Sequence, residues 1–288
     1  MKTILKTALA VSAIALCAPA TAFANHHAGT EAPMPAADAA LVAVINADIR
    51  KDDMARDKYR HPAETLTFFQ VKPDQTVVEY SPGGGWYTRI LAPYVQEKGR
   101  YIGVNTDTSS VTFSDPEREQ RAKAWPQQFP ATAAKEAGVD AAKIMAFESD
   151  EVPDDVKGTV DRILIFRSLH GMMNGNRADS EVKNLRAMLA DDGMIGVVQH
   201  RANEDAGYEW TNGSKGYLRQ SDVVALFTMH GFDLVDSSEV NANPKDTKDY
   251  PDGVWTLPPV LGADKENEAK YLAIGESDRM TLLFRKRP

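Results

Sequence analysis

The sequence predicts an α/β fold, a doubly wound seven-stranded sheet with helices on its faces, and three observations carry that expectation. Runs of β-branched and apolar residues alternate with helical segments from Thr76 to Arg285. The run Asp161-Arg-Ile-Leu-Ile-Phe166 is the pattern of a strand buried on both faces, as in a parallel sheet. Residues Thr76 to Val95, TVVEYSPGGGWYTRILAPYV, read as a strand, a glycine turn and a helix in immediate succession. There Val77 and Val78 favour the strand, Gly83, Gly84 and Gly85 permit a tight turn, and Tyr87, Ile90, Leu91 and Tyr94 share one helix face.

Taken from the start, residues 1–24 read as a secretory signal peptide: Lys2 and Lys6, an apolar run from Ala8 to Ala18, and Ala22-Phe23-Ala24 as the cleavage site. The apolar run is too short to span a bilayer, and no later stretch is long enough, so the expectation is an exported protein without a membrane-inserted segment, periplasmic or secreted. Cys17, the single cysteine, lies inside the leader. A mature chain without it has no disulfide, thiol nucleophile or thiolate metal site. It would begin Asn25-His26-His27, which is either a tail of no function or a chelator of Cu(II) or Ni(II) through the amine, backbone nitrogens and His27. Residues 25–40 are linker-like, and 41–288 form one α/β domain.

The chain of 288 residues is 43% apolar, enough to build such a core. It carries 33 basic and 41 acidic residues, a charge of −8 that removal of Lys2 and Lys6 deepens by two, which argues against non-specific nucleic-acid binding. From Leu41 to Arg60 the pattern is helical and charged, a solvated face with pairs such as Asp52 with Arg56. Pro62 ends it, and 63–69 form a short apolar helix.

After the glycine turn, Tyr101 to Asn105 is the second strand, followed by Asp107. Residues 108–142 form a helical crossover broken at Pro116, Pro126 and Pro130 and anchored by Trp125 and Phe129. Lys143 to Phe147 is the third strand and leads to the acidic run Glu148-Ser-Asp-Glu-Val-Pro153. The fourth, 161–166, delivers Arg167, Ser168, Leu169 and His170 at its carboxyl end, where open α/β sheets bind ligands. His170 is either structural or placed for chemistry before the flexible 171–175. A helix at 182–189, a fifth strand at 194–199, a helix at 218–229, a sixth strand at 232–240 and a seventh at 280–285 complete the sheet. The insertion at 241–277 is rich in proline and aromatic residues, the composition of an ordered lid.

The glycine turn is not a P-loop, because no Gly-Lys-Ser/Thr follows, and it fits the dinucleotide fingerprint poorly, because Thr88 stands at the last glycine. The pattern Glu79-x-Ser81-x-Gly83-Gly84-Gly85 resembles motif I of the class I S-adenosylmethionine (SAM) dependent methyltransferases, an acid followed by G-x-G-x-G, with Ser81 at the first glycine. The chain as a whole is similar to exported methyltransferases with P-G-G-G-W-Y-T and a later R-x-L-H. The resemblance implies a Rossmann-like sheet with an antiparallel last strand, and SAM as cofactor. It implies Glu79 near the amino-acid end of SAM, Asn105 or Asp107 at the ribose and Glu148 at the adenine. Asp107 as a helix cap and Glu148 in a solvated turn are the structural alternatives. His170 is the expected general base, with Tyr87 and Arg167 holding a small-molecule acceptor. The rival is a non-catalytic periplasmic binding protein with a degenerate pocket of the same type.

Overall fold

In the computed structural model, residues 35–262 and 265–288 are described. The leader ending at Ala24, Cys17 and the Asn25-His26-His27 terminus lie outside them. Seven strands, β1 (Thr76–Tyr80), β2 (Arg100–Asn105), β3 (Ile144–Glu148), β4 (Val160–Phe166), β5 (Leu189–His200), β6 (Phe232–Ser238) and β7 (Arg279–Lys286), form one sheet in the order β3-β2-β1-β4-β5-β7-β6. The pairs from β3 to β5 are parallel, and β7 runs antiparallel between β5 and β6. This is the expected seven-stranded doubly wound sheet with its antiparallel last strand, the class I methyltransferase fold.

Alternation along each strand sends successive side chains to opposite faces. On β4, Ile163 and Ile165 join Val78, Ile102 and Val197 under Val182, Leu185 and Phe227 of the helices Ala178–Met188 and Gln220–Met229. Leu164 and Phe166 point the other way, with Val77 and Val198, under Leu41, Phe69, Ile90, Leu91 and Phe129. Both clusters are built of buried apolar side chains, and a fully buried leucine or isoleucine contributes roughly 1.5–3 kcal/mol.

Several expectations are corrected. Pro126 and Pro130 do not break the second crossover: Asp115 caps a 22-residue helix, Pro116–Ala137, with Pro116 in its first turn. The two prolines lie four residues apart, so their missing amide donors fall on one face. Phe129, Ala133, Ala134 and Ala137 hold the helix on the sheet. Phe129 packs so closely on β2 that a side chain at Gly103 would collide with its ring.

Residues 41–60 are not one solvated helix either. The chain folds into short turns, Ala39–Ile45, Asp48–Arg50, Met54–Arg56 and Asp57–Arg60, so four-residue spacing no longer defines a face. Arg50 and Arg60 are fully buried, Arg50 on Asp57 at 2.8 Å, and Arg56 turns to Glu276 rather than Asp52. The fifth strand begins at Leu189, which pairs with Val160 before a register shift brings Met194 opposite Arg162.

The insertion between β6 and β7 is held by buried polar side chains. Asn241 bonds Thr65 and Thr281, Asn243 bonds the carbonyls of Ile274 and Glu276, and Asp246 accepts from the Tyr217 hydroxyl and the Asp278 amide. These bonds return the chain across the carboxyl ends of β5 and β4, with Trp255 edge-on to His170 at 5.8 Å.

Candidate functional site

The strand order reverses between β1 and β4, which opens a crevice at their carboxyl ends, the place where such sheets bind ligands. Both strands leave the sheet in the same way. Ser81 donates its amide to Val104 O and Arg167 donates its amide to Val198 O, each at 2.7 Å, and each residue then turns left-handed, φ +52° and +57°. A non-glycine residue in that region costs roughly 1–2 kcal/mol. Strain of this kind clusters at ligand sites. Ser81 therefore makes a turn that glycine adopts most readily.

On the β1 side, Gly83 at φ +58° and Gly84 are exposed, and a Cβ on Gly84 would meet nothing within 4 Å. Gly85 is different: at φ +72° its Cβ would face Arg89 at 3.0 Å and Glu136 at 3.2 Å. Arg89 braces the turn, donating to Gly84 O at 2.9 Å and to Asp53 at 2.6 and 2.9 Å.

Three of the acidic candidates bond within the protein. Glu79 is 2% exposed, and its Oε2 accepts from the Thr88 hydroxyl at 2.8 Å and the Tyr101 hydroxyl at 2.7 Å, tying β1 to β2 and to the following helix. Burial pushes its carboxyl up to about 7, although both hydroxyls pull the other way. Glu148 accepts from the amide and hydroxyl of Thr108 at 2.8 Å, and Asp107 caps the turn Thr108–Ser110 through the Ser109 amide. Carboxylate oxygens of Asp107, Glu148 and Asp150 lie within 4.8 Å of one another, and burial followed by those two neighbours raises Asp150. Asn105 sits opposite Glu148 at the end of β2, half-buried, and makes no side-chain hydrogen bond among the described residues.

On the β4 side, His170 lies in the first turn of the helix Leu169–Asn174 with its amide on Gln199 Oε1 at 3.3 Å. Its Nδ1 is buried without a partner among the described residues. Its ring is 5.8 Å from that of His200, whose Nδ1 meets Ser277 Oγ at 2.5 Å. Burial lowers both imidazoles, His200 the further because His170 and the arginines around it add repulsion, so both are neutral at pH 7. Tyr87 is buried and stacked on Phe166 at 3.5 Å, and its hydroxyl donates to Arg60 O at 3.5 Å.

The fold thus brings Tyr87, Arg167 and His170 together on one side, and the glycine turn, Asn105, Asp107 and Glu148 on the other. Sequence reasoning missed His200, Arg56, Arg60, Glu276 and Arg279. His200 carried a usable signal, as the last residue of a central strand.

No protein-family model matches the chain, and no curated protein matches it. Among solved structures, the chain is similar to a SAM dependent methyltransferase from Aquifex aeolicus, with 16% identity over 83% of this chain and 96% of that one and a TM-score of 0.50. A geranyl diphosphate methyltransferase in complex with SAM aligns over 88% of this chain and 97% of its own, with 14% identity and a TM-score of 0.48. At its identity the first of these likenesses establishes the fold alone.

Proposed function

We propose that the chain is a SAM-dependent methyltransferase acting on a small-molecule acceptor, exported after cleavage behind Ala24. The observation that carries the reading is the left-handed Ser81 turn with exposed Gly83 and Gly84, set at the switch point of a sheet with an antiparallel β7. Backbone there can approach a nucleoside ligand closely. The Asn105 amide, without a hydrogen bond among the described residues, would take ribose hydroxyls, and Asp107, Glu148 and Asp150 supply acceptor oxygens beside it.

SAM would supply an electrophilic methyl group on a sulfonium. The chain's own residues orient an acceptor over β4 and β5 and exclude water from it under Trp255. His170, neutral at pH 7, takes the proton that the nucleophile loses as it gains the methyl. Tyr87 positions Arg60 through its carbonyl rather than touching the acceptor. Arg167 reaches the acceptor side.

One observation favours the rival binding-protein reading: the carboxylates of Glu79 and Glu148 are engaged within the protein. Calorimetric titration of the purified chain with SAM and with its demethylated product decides whether the pocket exists. Binding is expected with wild type and abolished by Gly84→Val, whose side chain fills open space and leaves the fold intact. Absence of binding to wild type would sink the cofactor assignment. Binding without transfer to any acceptor in extracts supplied with labelled SAM would favour the rival.

A further inference from the structure

Four arginines meet at the carboxyl ends of β4 and β5 around one carboxylate. Glu276, 4% exposed, takes Arg56 Nε at 2.7 Å, Arg60 Nε at 3.2 Å and Arg279 Nη1 at 3.0 Å. Arg167 extends from the end of β4 and makes no side-chain hydrogen bond among the described residues. His200 is paired in register with Arg279, so the cluster adjoins the histidines.

Neighbouring acids are engaged elsewhere: Asp57 with Arg50, Asp53 with Arg89, Asp278 with Arg201 and Lys248. Among the described residues, the four guanidinium groups therefore share a single carboxylate, that of Glu276. The donors are unmatched as well. Arg60 Nη1 and Nη2, Arg56 Nη2 and Arg279 Nε are buried with no partner among the described residues, and Arg60 and Arg279 are 1% and 2% exposed. Buried guanidinium N–H groups without an acceptor are costly, and besides Glu276, Arg60 meets only the face of the Trp86 ring, 4.6 Å away, among the described residues. Repulsion from the other arginines adds to burial in lowering Arg167 to about 10 and Arg60 to about 9.

We propose that the methyl acceptor carries an oxyanion, a carboxylate or a phosphate, and that Arg56, Arg60, Arg167 and Arg279 bind it beside His170. Planar guanidinium forks match the several acceptor oxygens of such a group, and the added negative charge offsets part of the excess. The inference rests on the methyltransferase reading for the word acceptor, while the oxyanion site stands on the cluster itself.

The test uses inorganic phosphate and acetate as separate calorimetric probes of the purified chain in a buffer free of other oxyanions. At least one should bind, and the tighter probe names the class. Arg167→Met should weaken that binding by about tenfold or more while leaving SAM affinity within about threefold. Glu276→Gln, which removes the internal competitor, should tighten it by about tenfold. A purely structural clamp would show no such gain. If neither probe binds, if Arg167→Met changes nothing, or if a folded Glu276→Gln shows no tightening, the proposal fails. Competition between phosphate and SAM would also overturn it, by assigning the cluster to the carboxylate of SAM. Oxyanion binding without SAM binding would remove the methyltransferase reading and keep the anion site.

Discussion

Glu79 and Glu276 are buried alike, 2% and 4% exposed, yet their carboxyls sit at about 7 and about 2. Burial raises both. Glu79 answers it with two neutral hydroxyls, which recover only part of the lost hydration; Glu276 answers it with Arg279, Arg60 and Arg56, which overwhelm it. The difference teaches how the two halves of the crevice are built. The β1 to β3 half is a glycine turn braced by Arg89 on Asp53, with the carboxylates of Glu79 and Glu148 held by hydroxyl and amide bonds. The β4 to β7 half carries more positive charge than it neutralises.

The largest expected effect breaks the charged half. Glu276→Gln should cost about 3–5 kcal/mol at pH 7, because it leaves buried guanidinium groups uncompensated. The native carboxyl lies below its unfolded value, so its contribution is present above about pH 4.5 and disappears as pH falls towards about 2. Urea unfolding in oxyanion-free buffer should therefore show the gap between variant and wild type narrowing on acidification. Glu79→Gln has the opposite sign. Its native carboxyl is raised, so wild type loses stability as pH climbs from about 4.5 through about 7. The variant lacks that slope and should exceed wild type above pH 8 by up to about 3 kcal/mol. Equal pH profiles would place Glu79 in contact with solvent and undo the contrast. His170→Ala should lower turnover by about 10² with little change in SAM affinity, read by labelled methyl transfer to an acceptor. Retained turnover would make His170 structural and pass the base role to His200.

The sheet was legible because each strand announces itself locally, and β4 does so most clearly: Ile163, Leu164, Ile165 and Phe166 have no face to expose. The glycine turn was legible for the same reason, and even Ser81 keeps its left-handed backbone. The charged half was not. Arg56 and Arg60 lie some 220 residues from Glu276 and Arg279, and a run of alternating charges before Pro62 looks like a solvated helix until distant chain buries it. Glu79 and Glu148 were found at motif positions, but sequence alone does not reveal that Thr88, Tyr101 and Thr108 hold their oxygens. Pro126 and Pro130 misled because local propensity gave way to the packing of Phe129 on Gly103.

Amide hydrogen exchange with each ligand alone tests the division of the crevice most directly. SAM is expected to slow exchange at residues 81–88, 105–110 and 148–151, and phosphate at 56–60, 167–171 and 276–279, as two separate sets. Protection of one shared set by both ligands, or of the second set by SAM, would contradict the account.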